Sequence, residues 1–138
     1  MKLFSLLATS LLLAGTVLGQ TCTFTNFGRP CGGVMAGSLV RGPAIQMAVT
    51  RAMPGEVALL VVGHQLSQPM PLPGSSCLLL VGPRVVLQGS TDRAGSATFV
   101  MRLPNIVPLN VDFQCVVVDV TRTGRVAEST NGVNLVCR

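Results

Sequence analysis

Tryptophan and tyrosine are absent, histidine occurs once, and aromatic residues make up 4% of the 138 residues. Sandwich domains that bind sugars stack the rings on Trp or Tyr platforms, and sequence-tolerant binding of single-stranded nucleic acid also leans on aromatic stacking. Beyond residue 19 only Phe24, Phe27, Phe99 and Phe113 remain, and Phe99 and Phe113 alternate with their neighbours as core residues do. Neither binding mode is expected, and nucleic acid is not an expected partner. Charge is equally scarce, at 11% of residues, less than half the roughly one quarter usual for globular chains, which excludes intrinsic disorder and a charge-laced coiled coil. No segment of helical length carries an apolar stripe of helical period.

The inventory for chemistry is thin. Zinc sites need short paired spacings such as C-x-x-C, whereas the five cysteines are separated by 9, 46, 38 and 22 positions and the only histidine is His64. The turn Asp92-Arg93-Ala94-Gly95 has a single Asp, too few oxygen ligands for a calcium loop. There is no G-x-S-x-G elbow for a serine nucleophile beside His64 and no phosphate-cradling G-x-x-x-x-G-K-[ST]. Asp119 and Glu128 flank the Thr121 to Gly124 turn as a candidate carboxylate pair, at a spacing specific to no chemistry. No cofactor, no metal and no enzyme activity is expected.

What is present begins with an export signal. Met1-Lys2 supplies a positive start, Leu3 to Val17 an apolar core, and Val17-Leu18-Gly19 a small residue before the cut. Residues 1 to 19 therefore read as a signal peptide and residues 20 to 138 as a single domain, with no membrane span after the cut. The apolar run is interrupted by Thr9, Ser10, Gly15 and Thr16 and falls short of a transmembrane helix. Beyond residue 19 there is no lysine, and nine arginines face five carboxylates, for a net charge of +4. The arginines are scattered and solubilising; only Arg122 and Arg125 lie close enough in sequence to act together on an anion.

Cys22, Cys31, Cys77, Cys115 and Cys137 all follow the cut, so disulfides in an oxidising compartment are the natural reading. An odd count leaves at least one thiol that stays buried, reacts, or bridges to a second copy. Short apolar runs punctuated by Gly, Pro, Ser and Asn predict eight strands: Thr21 to Asn26, Ala44 to Arg51, Val57 to Gly63, Cys77 to Val81, Arg84 to Gln88, Ser96 to Leu103, Asn110 to Val120 and Gly132 to Cys137. The fold class is all-β, an antiparallel sandwich of immunoglobulin-like type. Pro54-Gly55 predicts a hairpin between the second and third of these strands, and the Pro-rich stretch Ser67 to Ser76 a surface loop or edge crossover. Cys115 and Cys137 fall on inward faces of their strands, which leaves a Cys115 to Cys137 bridge geometrically open.

The order of short motifs carries a resemblance. Phe27-Gly28-Arg29-Pro30-Cys31-Gly32-Gly33, then Leu72-Pro73-Gly74-Ser75-Ser76-Cys77, then Thr91-Asp92-Arg93-Ala94-Gly95-Ser96-Ala97-Thr98-Phe99, then Phe113-Gln114 and Ser129-Thr130-Asn131-Gly132-Val133 resemble a family of small secreted β-sandwich domains of planctomycete-like bacteria. The resemblance spans nearly all of the chain after residue 19. It implies the sandwich fold, an extracytoplasmic address, a Cys31 to Cys77 partnership and no catalytic residues. Cys115 and Cys137 depart from the family pattern, so the pairing of Cys22, Cys115 and Cys137 stays open.

The expected function is a secreted or cell-surface structural or interaction module, non-catalytic, that meets an extracellular or envelope partner through its loops or an exposed strand edge, or that self-associates through the unpaired cysteine. The alternative is an anion-binding domain that uses Arg122 and Arg125 on a polysaccharide or lipid headgroup. Intact mass of the exported protein, before and after reduction and alkylation, is expected to show a chain that starts at Gln20. A monomer with two bridges and one thiol, or a reducible dimer, then separates the self-contained module from the assembling one.

Overall fold

Apolar residues at every second position give a strand one face to bury, and strands of this kind are stable only when two such faces meet. The computed structural model describes residues 16–17, 20–41, 44–120 and 125–138. Its strands are β1 (Thr16–Val17), β2 (Gln20–Phe27), β3 (Val34–Val40), β4 (Ala44–Thr50), β5 (Val57–Pro71), β6 (Leu78–Ser90), β7 (Ala97–Arg102), β8 (Leu109–Asp119), β9 (Arg125–Ser129) and β10 (Gly132–Cys137). They form a β-sandwich of two antiparallel sheets. The larger has the order β1-β2-β10-β8-β5-β6 with β9 also on β8, and the smaller has the order β3-β4-β7. Most of the expected leader lies outside the described residues; of it only β1 is placed, paired with Gln20 and Thr21.

The main core lies between the sheets. Met35, Ile45, Met47, Val49 and Phe99 of the small sheet meet Ala58, Leu60, Phe113, Cys115, Val117, Val133 and Leu135 of the large one. A second, smaller core lies on the outer face of the large sheet, where Val61 and Val116 are covered by Leu80 and Val81. Two cores on one sheet explain why Val57 to Val62 is apolar on both faces.

That outer core exists because the β5–β6 hairpin bends. Pairing shifts register at Val62/Gly63 and again between Gln65 and Met70. At the first shift Gly63 approaches the Gly82 carbonyl so closely that a side chain on Gly63 has no room. The far half of the hairpin then arches over β8, where Gln114, fully buried, binds it. The Gln114 Oε1 accepts from the Leu80 N–H at 2.8 Å, and Nε2 donates to the carbonyls of Leu78 and Thr130, each at 3.0 Å.

Several sequence expectations are corrected. Cys77 to Val81 and Arg84 to Gln88 belong to one bulged strand, because the bulge absorbs Gly82-Pro83 without ending the pairing. The strand β5 continues through Pro69 to Pro71; Pro69 is tolerated because pairing lapses between Gln65 and Met70. Pro54-Gly55 is a turn, with Gly55 at φ 70°, but β4 and β5 lie in different sheets, so it is a sheet-to-sheet crossover and not a hairpin. Besides the two-residue β1, two strands escaped the pattern. In β3, Gly37 interrupts the apolar run because the Phe24 ring occupies the space of a side chain there, and β9 is a short polar run that takes over from β10 along the C-terminal half of β8.

Cys31 is bonded to Cys77, and Cys22 to Cys137. The open Cys115 to Cys137 pairing is not formed. Cys137 sits directly opposite Cys22 in the β2–β10 register with Cα atoms 4.1 Å apart, whereas Cys115 pairs with Leu60 on β5. Cys115 is the free cysteine and is fully buried. Its sulfur lies in the main core and not at the surface. Burial pushes its pKa from 9.0 up to about 12, with a backbone hydrogen bond to Leu59 pulling the other way.

Cys115 is expected to resist iodoacetamide at pH 8 in the native protein and to be alkylated fully in denaturant, as read by mass. Because the folded thiol holds its proton above the unfolded value, stability from this group is complete below about pH 9. It declines by up to about 1.4 kcal/mol per pH unit as pH rises toward the folded pKa, measured as urea midpoints along a pH series. Gln114→Ala leaves Leu78, Leu80 and Thr130 main-chain groups without their partner, and an urea titration is expected to show a loss of about 3 kcal/mol.

Candidate functional site

The arch of the β5–β6 hairpin leaves a cleft of about 640 Å³ between its tip, the Cys31–Cys77 bridge and the end of β8 and β9. The tip is a tight turn in which the Ser75 Oγ accepts from the Cys77 N–H at 3.2 Å, while the Leu72 N–H donates to the Cys77 carbonyl at 3.0 Å. Gly74, at φ +79°, takes the left-handed conformation the turn requires, and the Arg125 stem packs directly against it. Opposite, Gly32 at φ +109° lies beneath the Glu128 carboxylate, which fills the space a side chain there would need. Cys31, four residues beyond the end of β2, forms an isolated antiparallel bridge by exchanging backbone hydrogen bonds with Ser129.

The cleft thus gathers Arg125, Asp119 and Glu128. Asp119 and Arg125 face each other across the β8–β9 ladder, and Glu128 pairs with Val117 further along. The two carboxylates that the sequence placed on either side of a turn do share one site. Arg125 is there as well, but Arg122 lies outside the described residues. The described lining carries one cationic and two anionic side chains.

Other predicted residues are dispersed. His64 is exposed on β5 and does not line the cleft, so Ser75 and Ser76 have no imidazole beside them there. The Asp92 turn forms as the sequence predicts: Asp92 Oδ1 accepts from the Ala94 and Ser96 N–H groups at 2.8 and 2.9 Å, and Gly95 has φ 77°. Among the described residues no group of three His, Cys, Asp or Glu side chains is placed to hold a metal ion, and no helix is long and apolar enough to cross a membrane.

The sequence missed the open edge of the large sheet. From Arg84 to Gln88 β6 has β5 on one side and, among the described residues, no strand on the other. Val85 and Val86 are 53% and 49% exposed, so consecutive apolar residues, on opposite faces of the strand, both meet solvent. The signal was there in the Val-Val dipeptide; what the pattern lacked was any mark separating an edge strand from a central one. No family model, no curated protein and no solved structure matches the chain.

Proposed function

We propose that the protein is a secreted or cell-surface interaction module, without catalytic activity, that recruits an extracellular or envelope protein through the β6 edge. The observation that carries this reading is the unprotected Arg84 to Gln88 stretch with exposed Val85 and Val86. Strand edges carry unpaired N–H and C=O groups, and soluble proteins ordinarily blunt them with charge, proline or cover. Here Pro83 and Arg84 guard one end only. An extended segment of a partner can add to such an edge, with main-chain hydrogen bonds supplying affinity and the two valines supplying apolar contact. Two disulfides fit an oxidising environment, and the leader pattern together with the family resemblance supports an address outside the cytoplasm.

The test uses the fluorescently labelled protein and the envelope fraction of the cells that produce it. The double variant V85K/V86K alters exposed positions, so its circular dichroism and its two bridges are expected to persist while binding to the fraction falls at least about tenfold. Undiminished binding by a folded V85K/V86K protein refutes the strand-edge reading. Loss of wild-type binding in high salt points instead to an electrostatic surface.

A further inference from the structure

We propose that the end of the sandwich carrying the β7–β8 loop docks on an anionic lipid surface, with Ile106 and Val107 entering the interface and Arg41 and Arg102 meeting the headgroups. The loop Pro104-Asn105-Ile106-Val107-Pro108 runs between β7 of the small sheet and β8 of the large one, and each of its residues is exposed. Ile106 and Val107 are 60% and 51% exposed, two branched apolar side chains in succession at a loop tip. Asn105 is the one polar side chain in this loop, and Pro104 and Pro108 have no N–H. Few groups therefore lose hydrogen bonds to water when the loop enters an apolar medium. Behind it Met101, Leu103, Leu109 and Val111 line an apolar cavity of about 170 Å³.

The charges are divided between the two ends of the sandwich. Ala44 pairs with Val40 on one side and with Arg102 on the other. Arg41, which follows β3, and Arg102, which ends β7, therefore lie at the end that carries the loop, and both are exposed. Of the five Asp and Glu residues, Glu56 precedes β5, Asp92 follows β6, and Asp119 and Glu128 lie where β8 pairs with β9. Val57, which starts β5, pairs with both Ser90 and Val118, so those four carboxylates share the opposite end. The fifth, Asp112, is buried, and its oxygens accept from the Gln65 N–H and the Asn134 amide. Among the described residues the loop end presents guanidinium groups and no exposed carboxylate side chain. A bilayer takes apolar side chains into its acyl boundary and surrounds them with headgroups, which are negative in an anionic membrane. A soluble polyanion leaves Ile106 and Val107 in water. None of these residues belongs to β6, so this inference does not rest on the proposed function.

The exported protein, with both bridges formed, is sedimented with protein-free vesicles of phosphatidylcholine containing about one third phosphatidylglycerol, and with phosphatidylcholine alone. It is expected to bind the anionic vesicles, to bind the neutral ones at least about tenfold more weakly, and to weaken as salt rises from about 0.05 M to about 0.5 M. I106S/V107S alters two exposed positions and is expected to keep its circular dichroism while losing at least about tenfold in vesicle affinity. R102Q is expected to weaken binding about fivefold, whereas R93Q, the same change of charge at the opposite end, leaves it within about twofold. Because the chain has no tryptophan, V107W supplies a single emitter, whose fluorescence is expected to shift to shorter wavelength on the anionic vesicles. Four results overturn the proposal: no sedimentation with anionic vesicles at the lower salt, undiminished binding by folded I106S/V107S, equal weakening in R93Q and R102Q, or unshifted V107W emission from sedimented protein. Protein-free vesicles offer the β6 edge no strand to pair with, so each of these results leaves the strand-edge reading standing.

Discussion

The Gln114 side-chain amide lies fully buried on the outer face of β8, and its hydrogen bonds to Leu78, Leu80 and Thr130 take the place of a strand that is not there. The arch of the hairpin, the outer core beneath it and the cleft at its tip all require this attachment. An amide side chain suits the task because it offers a carbonyl and an N–H pair in the geometry of a peptide group, and a buried amide is stable only when both ends are satisfied. Two neighbouring residues work in the same way where β9 hands over to β10. The Thr130 hydroxyl accepts from the Cys115 N–H at 2.9 Å, and the Asn131 amide accepts from the Met35 N–H and donates to the Met35 carbonyl at 2.9 and 3.0 Å. Asn131 thereby ties the large sheet to β3 of the small one, across the join that no ladder spans.

The two disulfides act on the parts this polar network leaves free. Cys31–Cys77 anchors the tip of the arch to the segment that follows β2, and Cys22–Cys137 fastens β2 to the C-terminal strand. They close segments with sequence separations of 46 and 115 residues, and in the chain-entropy account they remove about 4 and about 5 kcal/mol of unfolded-state freedom respectively. Rigidity at the tip fixes the cleft, and a short charged lining does the rest: Arg125 rests on Gly74 while Glu128 covers Gly32. The β6 edge beyond the bulge is held by β5 alone on its ladder side, so it remains available where the rest of the sheet is covered.

Legibility differed sharply between elements. β4, β7, β8 and β10 were visible because each has a strict apolar alternation with one buried face, such as Ile45, Met47 and Val49. The Asp92 turn was visible because its chemistry is local. By contrast β3 was hidden by a glycine whose reason is a ring 13 residues earlier, Phe24 beneath Gly37. The hairpin expected at Pro54-Gly55 failed because a turn signal fixes a reversal of the chain but not the sheet in which the next strand pairs. Of the cleft, Arg125 and the Asp119 and Glu128 pair were legible, while the hairpin tip that completes it was read only as a proline-rich loop.

From the sequence alone came the all-β class, the disulfide chemistry and most strand positions, since alternation, turn residues and cysteine content act through neighbours a few residues away. Tertiary structure alone decided which cysteines meet, which thiol is sealed in the core, and which strand forms the sheet edge. Those outcomes depend on register between segments distant in the chain. Cys137 reaches Cys22 because β2 and β10 pair in that alignment, and Cys115 stays free where the β5–β8 register sets Leu60 opposite it.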